Sequence, residues 1–98
     1  MDKYQITLGG ISDSITLELT MEDAKKCYHQ GICDFDVAEV CKQEYVSKQM
    51  NNYSIGEILD VLDNYGCEYD DGDSKEELFS TIVWLGAGDI LDEQGINY

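Results

Sequence analysis

The chain has 98 residues, with 21 Asp plus Glu against 6 basic residues, all of them lysine, and a formal net charge of -15. A small soluble domain typically carries a net charge of about 2 to 8 in magnitude, so this one lies far outside the ordinary range. The length allows one domain spanning 1–98 and argues against two. The balance argues against direct binding to nucleic acid or to an anionic membrane, because both favour Lys and Arg.

The predicted elements begin with a β-hairpin. Tyr4-Gln5-Ile6-Thr7-Leu8 alternates with period two, Gly9-Gly10 opens a turn, and Ile15-Thr16-Leu17-Glu18-Leu19 alternates again. Ile6, Leu8, Ile15, Leu17 and Leu19 form the expected core face. Thr20, with Asp23 three residues on, reads as a helix N-cap, and a first helix runs from about Met21 to Gln30 before Gly31.

Asp34 or Asp36 caps a second helix from about Val37 to Met50, with Val37, Val40, Cys41 and Tyr45 on its apolar side. Ser54 with Glu57 forms a capping box for a third helix. That helix carries Ile55, Ile58, Leu59, Leu62 and Tyr65 and ends at Gly66. Ser74 with Glu77 forms another box. The fourth helix carries Leu78, Phe79, Ile82, Val83, Trp84, Leu85, Ile90 and Leu91. It is apolar around most of its girth, which predicts a central, buried helix with Trp84 in the core. Gly86 and Gly88 predict either close packing of another backbone or a break near residue 86. The class is α+β: an N-terminal hairpin followed by about four helices.

High charge with few apolar residues would mean disorder. Leu, Ile, Val and Phe here number 24 of 98 residues, which places the chain above the roughly 20% associated with disordered, highly charged sequences. The start, Met1-Asp2-Lys3-Tyr4-Gln5, lacks the basic and apolar regions of a signal peptide, and no apolar run reaches the ~18 residues of a membrane span. These features lead to the expectation of a cytoplasmic protein with reduced cysteines.

The charge is uneven. Residues 1–48 hold nine acids and five lysines, net -4, whereas residues 49–98 hold twelve acids and the single Lys75, net -11. Glu57, Asp60 and Asp63 recur every third residue and predict a slanted acidic ridge opposite the apolar stripe of the third helix, with steps of about 4.5 Å. Glu68, Asp70, Asp71, Asp73, Glu76 and Glu77 follow, so nine carboxylates fall between residues 57 and 77. Solvated faces usually interleave both signs of charge. Unrelieved self-repulsion opposes folding, so the expectation is a partner-binding face. A rigid carboxylate array can occupy a groove built for phosphates, steered there by the same Coulomb field that draws in nucleic acid. Tyr65 and Tyr69 are expected to add aromatic contacts.

Other chemistries fit less well. With Gly72 at position 6 of an EF-hand loop, Cys67, Tyr69 and Leu78 fall at ligand positions 1, 3 and 12. Cys27, His29, Cys33, Cys41 and Cys67 include no C-x2-C pair of the kind that builds a structural zinc site. Cys27 and His29 are two residues apart on a helix and do not face each other, so nucleophilic catalysis lacks its pair. Asp13-Ser14-Ile15 looks like the phosphopantetheine segment of acyl carrier proteins, but it starts too near the N-terminus and reads as a strand. The expectation is no enzyme, no cofactor and no metal.

Asn64-Tyr65-Gly66, the acidic run, Glu76-Glu77-Leu78 and Val83-Trp84-Leu85-Gly86-Ala87-Gly88-Asp89-Ile90 together resemble a segment of small acidic proteins carried by phages and plasmids. In those proteins a Tyr-Gly and an acid-rich loop precede a Leu-Trp-x-Ala-Ala-Gly-Asp-Ile-like helix. The resemblance covers residues 64–93, and Gly86 stands where alanine is expected. In composition the chain is also similar to phage anti-restriction and anti-CRISPR inhibitors. The resemblance implies a nucleic-acid mimic that blocks a basic nucleic-acid-binding protein, a CRISPR effector or a restriction enzyme. The alternatives are an immunity protein against a basic nuclease toxin, or a small-molecule carrier or metal-binding module.

Overall fold

The computed structural model describes residues 3–28, 35–70 and 72–95, with 35–39 and 41 described by their backbone alone. Strands β1 (Lys3–Gly9) and β2 (Ser14–Thr20) pair antiparallel, with Lys3 opposite Thr20 and Gly9 opposite Ser14. Helices α1 (Met21–Cys27), α2 (Phe35–Gln49), α3 (Ile55–Asn64) and α4 (Lys75–Glu93) follow, with a 3₁₀ turn at Met50–Asn52 between α2 and α3. The α+β class and the order of elements are those expected from the sequence.

The alternation in the strands does what period two requires. Leu8, Ile15, Leu17 and Leu19 are buried beneath the hairpin, and Ile6 packs against them half-buried. Thr20 caps α1 by accepting the Asp23 N–H at 3.1 Å. Ser54 and Glu57 complete a reciprocal capping box on α3. After α3, Gly66 takes φ +70, a conformation that costs a side-chain-bearing residue more.

Several boundaries and orientations differ from expectation. α1 stops at Cys27 rather than Gln30, with Tyr28 as its C-cap; Gly31 lies outside the described residues. α2 begins at Phe35, so Asp36 is inside the helix and not its cap, while Asp34 lies outside the described residues. Val40 is 59% exposed, and among the described side chains of α2 the buried one is Val46. The expected register for α2 therefore fails at Val40, while Tyr45 packs half-buried against the core as expected. It had little periodicity to rest on, because charged and polar residues interrupt every apolar row. The side chains of Val37 and Cys41 lie outside the description. In α3, Ile55 is half-exposed and Val61 takes a place in the core.

α4 is continuous through Gly86 and Gly88 and touches every other element. It buries Leu78, Phe79, Ile82, Val83, Gly86, Ala87, Ile90 and Leu91. A Cβ on Gly86 would lie 2.5 Å from Leu17 Cδ1 and 3.3 Å from Ile6 Cγ2. The glycine thus lets the hairpin side chains settle onto the helix. At Gly88 the Tyr28 ring occupies the corresponding space, 3.1 Å from where a Cβ would be. Of the two sequence-based explanations for these glycines, close packing is the observed one, and the packing atoms belong to side chains. Trp84 is not in the core: it is 37% exposed and tilts over Tyr28, with ring centroids 5.1 Å apart.

Gly86→Val tests this contact. Overpacking against the buried Leu17 should lower the unfolding free energy by about 1–3 kcal/mol in urea denaturation, and an unchanged midpoint would contradict the packing described.

Candidate functional site

The acidic residues of the second half divide by what their carboxylates do. Asp60 does not stand on an open ridge. Its Oδ2 accepts the backbone N–H of Ser12 at 2.8 Å and of Asp13 at 3.0 Å, in the hairpin turn. The turn approaches closely because Gly10 has no side chain there; a Cβ on Gly10 would overlap the Asp60 carboxylate. One turn further along α3, the Asn64 amide donates to the Gly9 carbonyl. The C-terminal half of α3 therefore clamps the hairpin turn through contacts between residues 47 to 55 positions apart, which helical spacing could not reveal.

The backbone N–H groups of Ser12 and Asp13 hold the Asp60 carboxyl below the ordinary aspartate value, against a smaller desolvation effect. Glu57 acts locally, its Oε1 accepting the Ser54 N–H at 3.0 Å. The expected acidic ridge of Glu57, Asp60 and Asp63 is thus partly a set of fold contacts. Asp63, exposed, accepts the Tyr69 hydroxyl at 2.9 Å. This bond joins the end of α3 to the following loop. Asp73 closes that loop by accepting the Asp70 N–H at 3.0 Å, while its own N–H bonds the Asp70 carbonyl.

Glu68, Asp70, Glu76 and Glu77 remain. All four are exposed, and their carboxylates make no hydrogen bond or ion pair among the described residues. Ser74 accepts the Glu77 N–H at 3.1 Å, but Glu77 does not return the bond as it would in a complete capping box. Asp71 lies outside the described residues. Ion pairs between described residues include Lys3–Glu18 at 3.5 Å and Glu22–Lys26 at 3.2 Å, both in the first half. Of the expected site, Glu68, Asp70, Asp73, Glu76 and Glu77 are grouped around the 68–77 loop and the start of α4, with Asp63 and Tyr69 tied to its edge.

Tyr65 belongs elsewhere. It caps α3 at its C-terminus, and its phenol pKa is raised by burial and by the charge of Asp89, with a Gly9 backbone hydrogen bond acting in the opposite sense. Asp89, Asp92 and Glu93 form a second acidic group that the sequence reading missed, although their spacing along one helix was visible. Asp89 is raised above the ordinary aspartate value by burial, then by Asp92 and Glu93. α4 has no basic residue in its last turn, so these acids also oppose the helix dipole.

Among the described residues, no group of three or more His, Cys, Asp or Glu side chains is placed to hold a metal ion. His29 and Cys33 lie outside the described residues. Nor is any described helix long and apolar enough to cross a membrane.

Asp60 and Asp89 predict opposite pH effects. Asp60 has a folded value below its unfolded one, so its contribution is present above pH 3.8 and is lost as pH falls through the folded value. Asp89 has a folded value above its unfolded one. It weakens the fold at neutral pH, and that penalty disappears as pH falls through the raised value. Asp60→Asn should therefore destabilise and Asp89→Asn stabilise at neutral pH, with both differences shrinking in acid. Urea unfolding from about pH 7 to about pH 2 checks this, and a shared sign for the two variants would contradict it.

No family model matches the chain, and no curated protein or solved structure matches it.

Proposed function

We propose that the protein is a non-catalytic inhibitor that occupies the basic, nucleic-acid-binding groove of a host defence protein, a CRISPR effector or a restriction enzyme. One observation carries the proposal: Glu68, Asp70, Glu76 and Glu77 are solvent-facing and serve no ion pair among the described residues. Like charges held close together raise the energy of the folded chain. A groove lined with Lys and Arg offsets that repulsion on binding and supplies the complementary potential that speeds encounter. The N-terminal position of Glu76 and Glu77 on α4 keeps them compatible with the helix dipole. The resemblance of residues 64–93 to small phage and plasmid proteins supports the same reading. It also supplies the proposed origin in a mobile element and the proposed cytosolic site of action.

The mechanism is occlusion. The carboxylates take the positions of phosphates, the target's cations pair with them, and no bond is made or broken in either protein. Nucleic acid and inhibitor then compete for one groove. Inhibition should be stoichiometric, relieved by excess substrate nucleic acid, and weakened steeply as salt shortens the Debye length from about 10 Å at 0.1 M to about 3 Å at 1 M.

The experiment is a cleavage assay on a panel of CRISPR effectors, restriction enzymes and basic nuclease toxins. The wild-type chain is compared with a Glu68→Lys, Asp70→Lys, Glu76→Gln, Glu77→Gln variant. Asp60 is left intact because it holds the hairpin turn. Inhibition of a defence nuclease that is lost in the folded variant is the expected result. Equal inhibition by the variant rules out the acidic site, and inhibition confined to the toxins supports the immunity-protein alternative instead.

A further inference from the structure

The hairpin is a two-stranded sheet, and its two outer edges are not equivalent. Gly10 N–H bonds the Asp13 carbonyl at 2.6 Å, which marks the 10–13 pair as hydrogen-bonded. In an antiparallel ladder hydrogen-bonded and non-hydrogen-bonded pairs alternate. Gly9–Ser14, Thr7–Thr16, Gln5–Glu18 and Lys3–Thr20 are then the non-hydrogen-bonded pairs, whose backbone groups point outward. The Thr16 N–H confirms the parity, because it reaches outward to the Tyr53 hydroxyl at 3.4 Å. On β1 the Gly9 carbonyl is covered by Asn64. The outward groups of Gln5 and Thr7 bond to no other element among the described residues.

Burial shows the same asymmetry. On the inner face, Leu17 and Leu19 of β2 are 1% and 0% exposed. Their partners across the ladder, Ile6 and Tyr4 of β1, are only half-buried. The core thus continues to an open side along β1. That strand, Lys3-Tyr4-Gln5-Ile6-Thr7-Leu8-Gly9, carries no carboxylate in a chain of net charge -15. Apart from the lysine at its first position, it lacks the devices that usually protect an edge, namely proline, a bulge or an inward-pointing charge.

We infer that β1 is a pairing edge for a second copy of this chain, joined antiparallel about a two-fold axis at Gln5. In this register Gln5 lies opposite itself and Lys3 opposite Thr7, so the outward groups of both strands meet each other. Tyr4 of each copy then lies opposite Ile6 of the other in a non-hydrogen-bonded pair, where side chains approach most closely. Aromatic and β-branched residues stabilise such cross-strand pairs. The two residues left half-buried in one copy are covered by the same two residues of its neighbour. The outcome is a closed, isologous dimer with a four-stranded sheet.

Charge permits this approach where it would oppose others. The nearest acids in the sheet, the two Glu18 side chains, lie three strand spacings apart, about 14 Å. That exceeds the roughly 8 Å Debye length at physiological salt. Each Glu18 is also paired with Lys3 of its own chain. In this register five residues of each edge overlap, Lys3 to Thr7, which makes an interface small against the about 1,200–2,000 Å² of stable complexes. The dimer is therefore weak and concentration-dependent. Salt strengthens it by screening the repulsion between the copies, the opposite of its effect on inhibitor binding.

Sedimentation equilibrium of the full chain from about 10 μM to about 1 mM tests the inference, with amide exchange measured over the same range. The mass should rise from 11.1 kDa towards twice that value, and more readily at higher salt. The Gln5 and Thr7 amides should gain protection in step. Thr7→Pro deletes an outward N–H and leaves the hairpin ladder intact, so it should abolish the dimer. Gln5→Lys can pair with Glu18 of its own chain while setting two cations on the axis, and should weaken the dimer at least tenfold. Far-UV circular dichroism establishes that each variant is folded. A constant mass of 11.1 kDa overturns the inference, as does a dimer that survives in a folded variant.

Discussion

At Gly86 the hairpin and the longest helix come into direct contact, with Leu17 and Ile6 filling the space a side chain would take. The rest of the architecture depends on that approach. With the hairpin seated there, α4 has apolar neighbours on several sides, and its broad apolar surface becomes an asset. α1, α2 and α3 complete the enclosure, and Phe79, Ile82, Ile90 and Leu91 are almost fully withdrawn from water. A glycine inside a helix costs about 1 kcal/mol relative to alanine. Here the burial of two hairpin side chains offsets that cost. α3 then fixes the far end of the hairpin through Asp60 and Asn64.

The clamp changes the meaning of the negative charge. Glu57, Asp60 and Asp73 look like members of one acidic surface when read along the chain, yet each accepts a backbone N–H and stabilises a helix start or a turn. A carboxylate used in this way contributes to folding through a charge-assisted hydrogen bond. Glu68, Asp70, Glu76 and Glu77 contribute no such bond. The repulsion among them is the cost that the proposed partner would relieve. At the other end of α4, Asp89, Asp92 and Glu93 lie against the helix dipole with no basic residue nearby in the last turn. The excess charge is thus concentrated toward the two ends of one helix.

Much of the fold could be read from the sequence because the relevant signals were local. Period-two alternation located both strands, and Thr20, Ser54 and Ser74 announced three helix starts that the structure contains. α2 was harder. Its one described buried residue is Val46, and mixed polar residues left the inward face without a clear stripe. Trp84 was misplaced for a different reason: hydrophobicity alone favours the core, whereas an indole can rest one face on Tyr28 and leave an edge in water. The candidate site was legible as a concentration of charge. The division between carboxylates that bind backbone and carboxylates that face solvent was not legible, because it depends on where the hairpin turn lands. Asp60 and Ser12 are separated by 48 positions.

Much of the chain's negative charge is left uncompensated by the described fold. The most direct measurement is the unfolding free energy of the wild-type protein as sodium chloride is raised from about 0.01 M to about 1 M, over which the Debye length falls from about 30 Å to about 3 Å. If repulsion dominates, stability rises with salt and levels off once the carboxylates are screened from one another. If stability instead falls with salt, attractive charge pairs dominate the folded state, and the charge has no need of a partner.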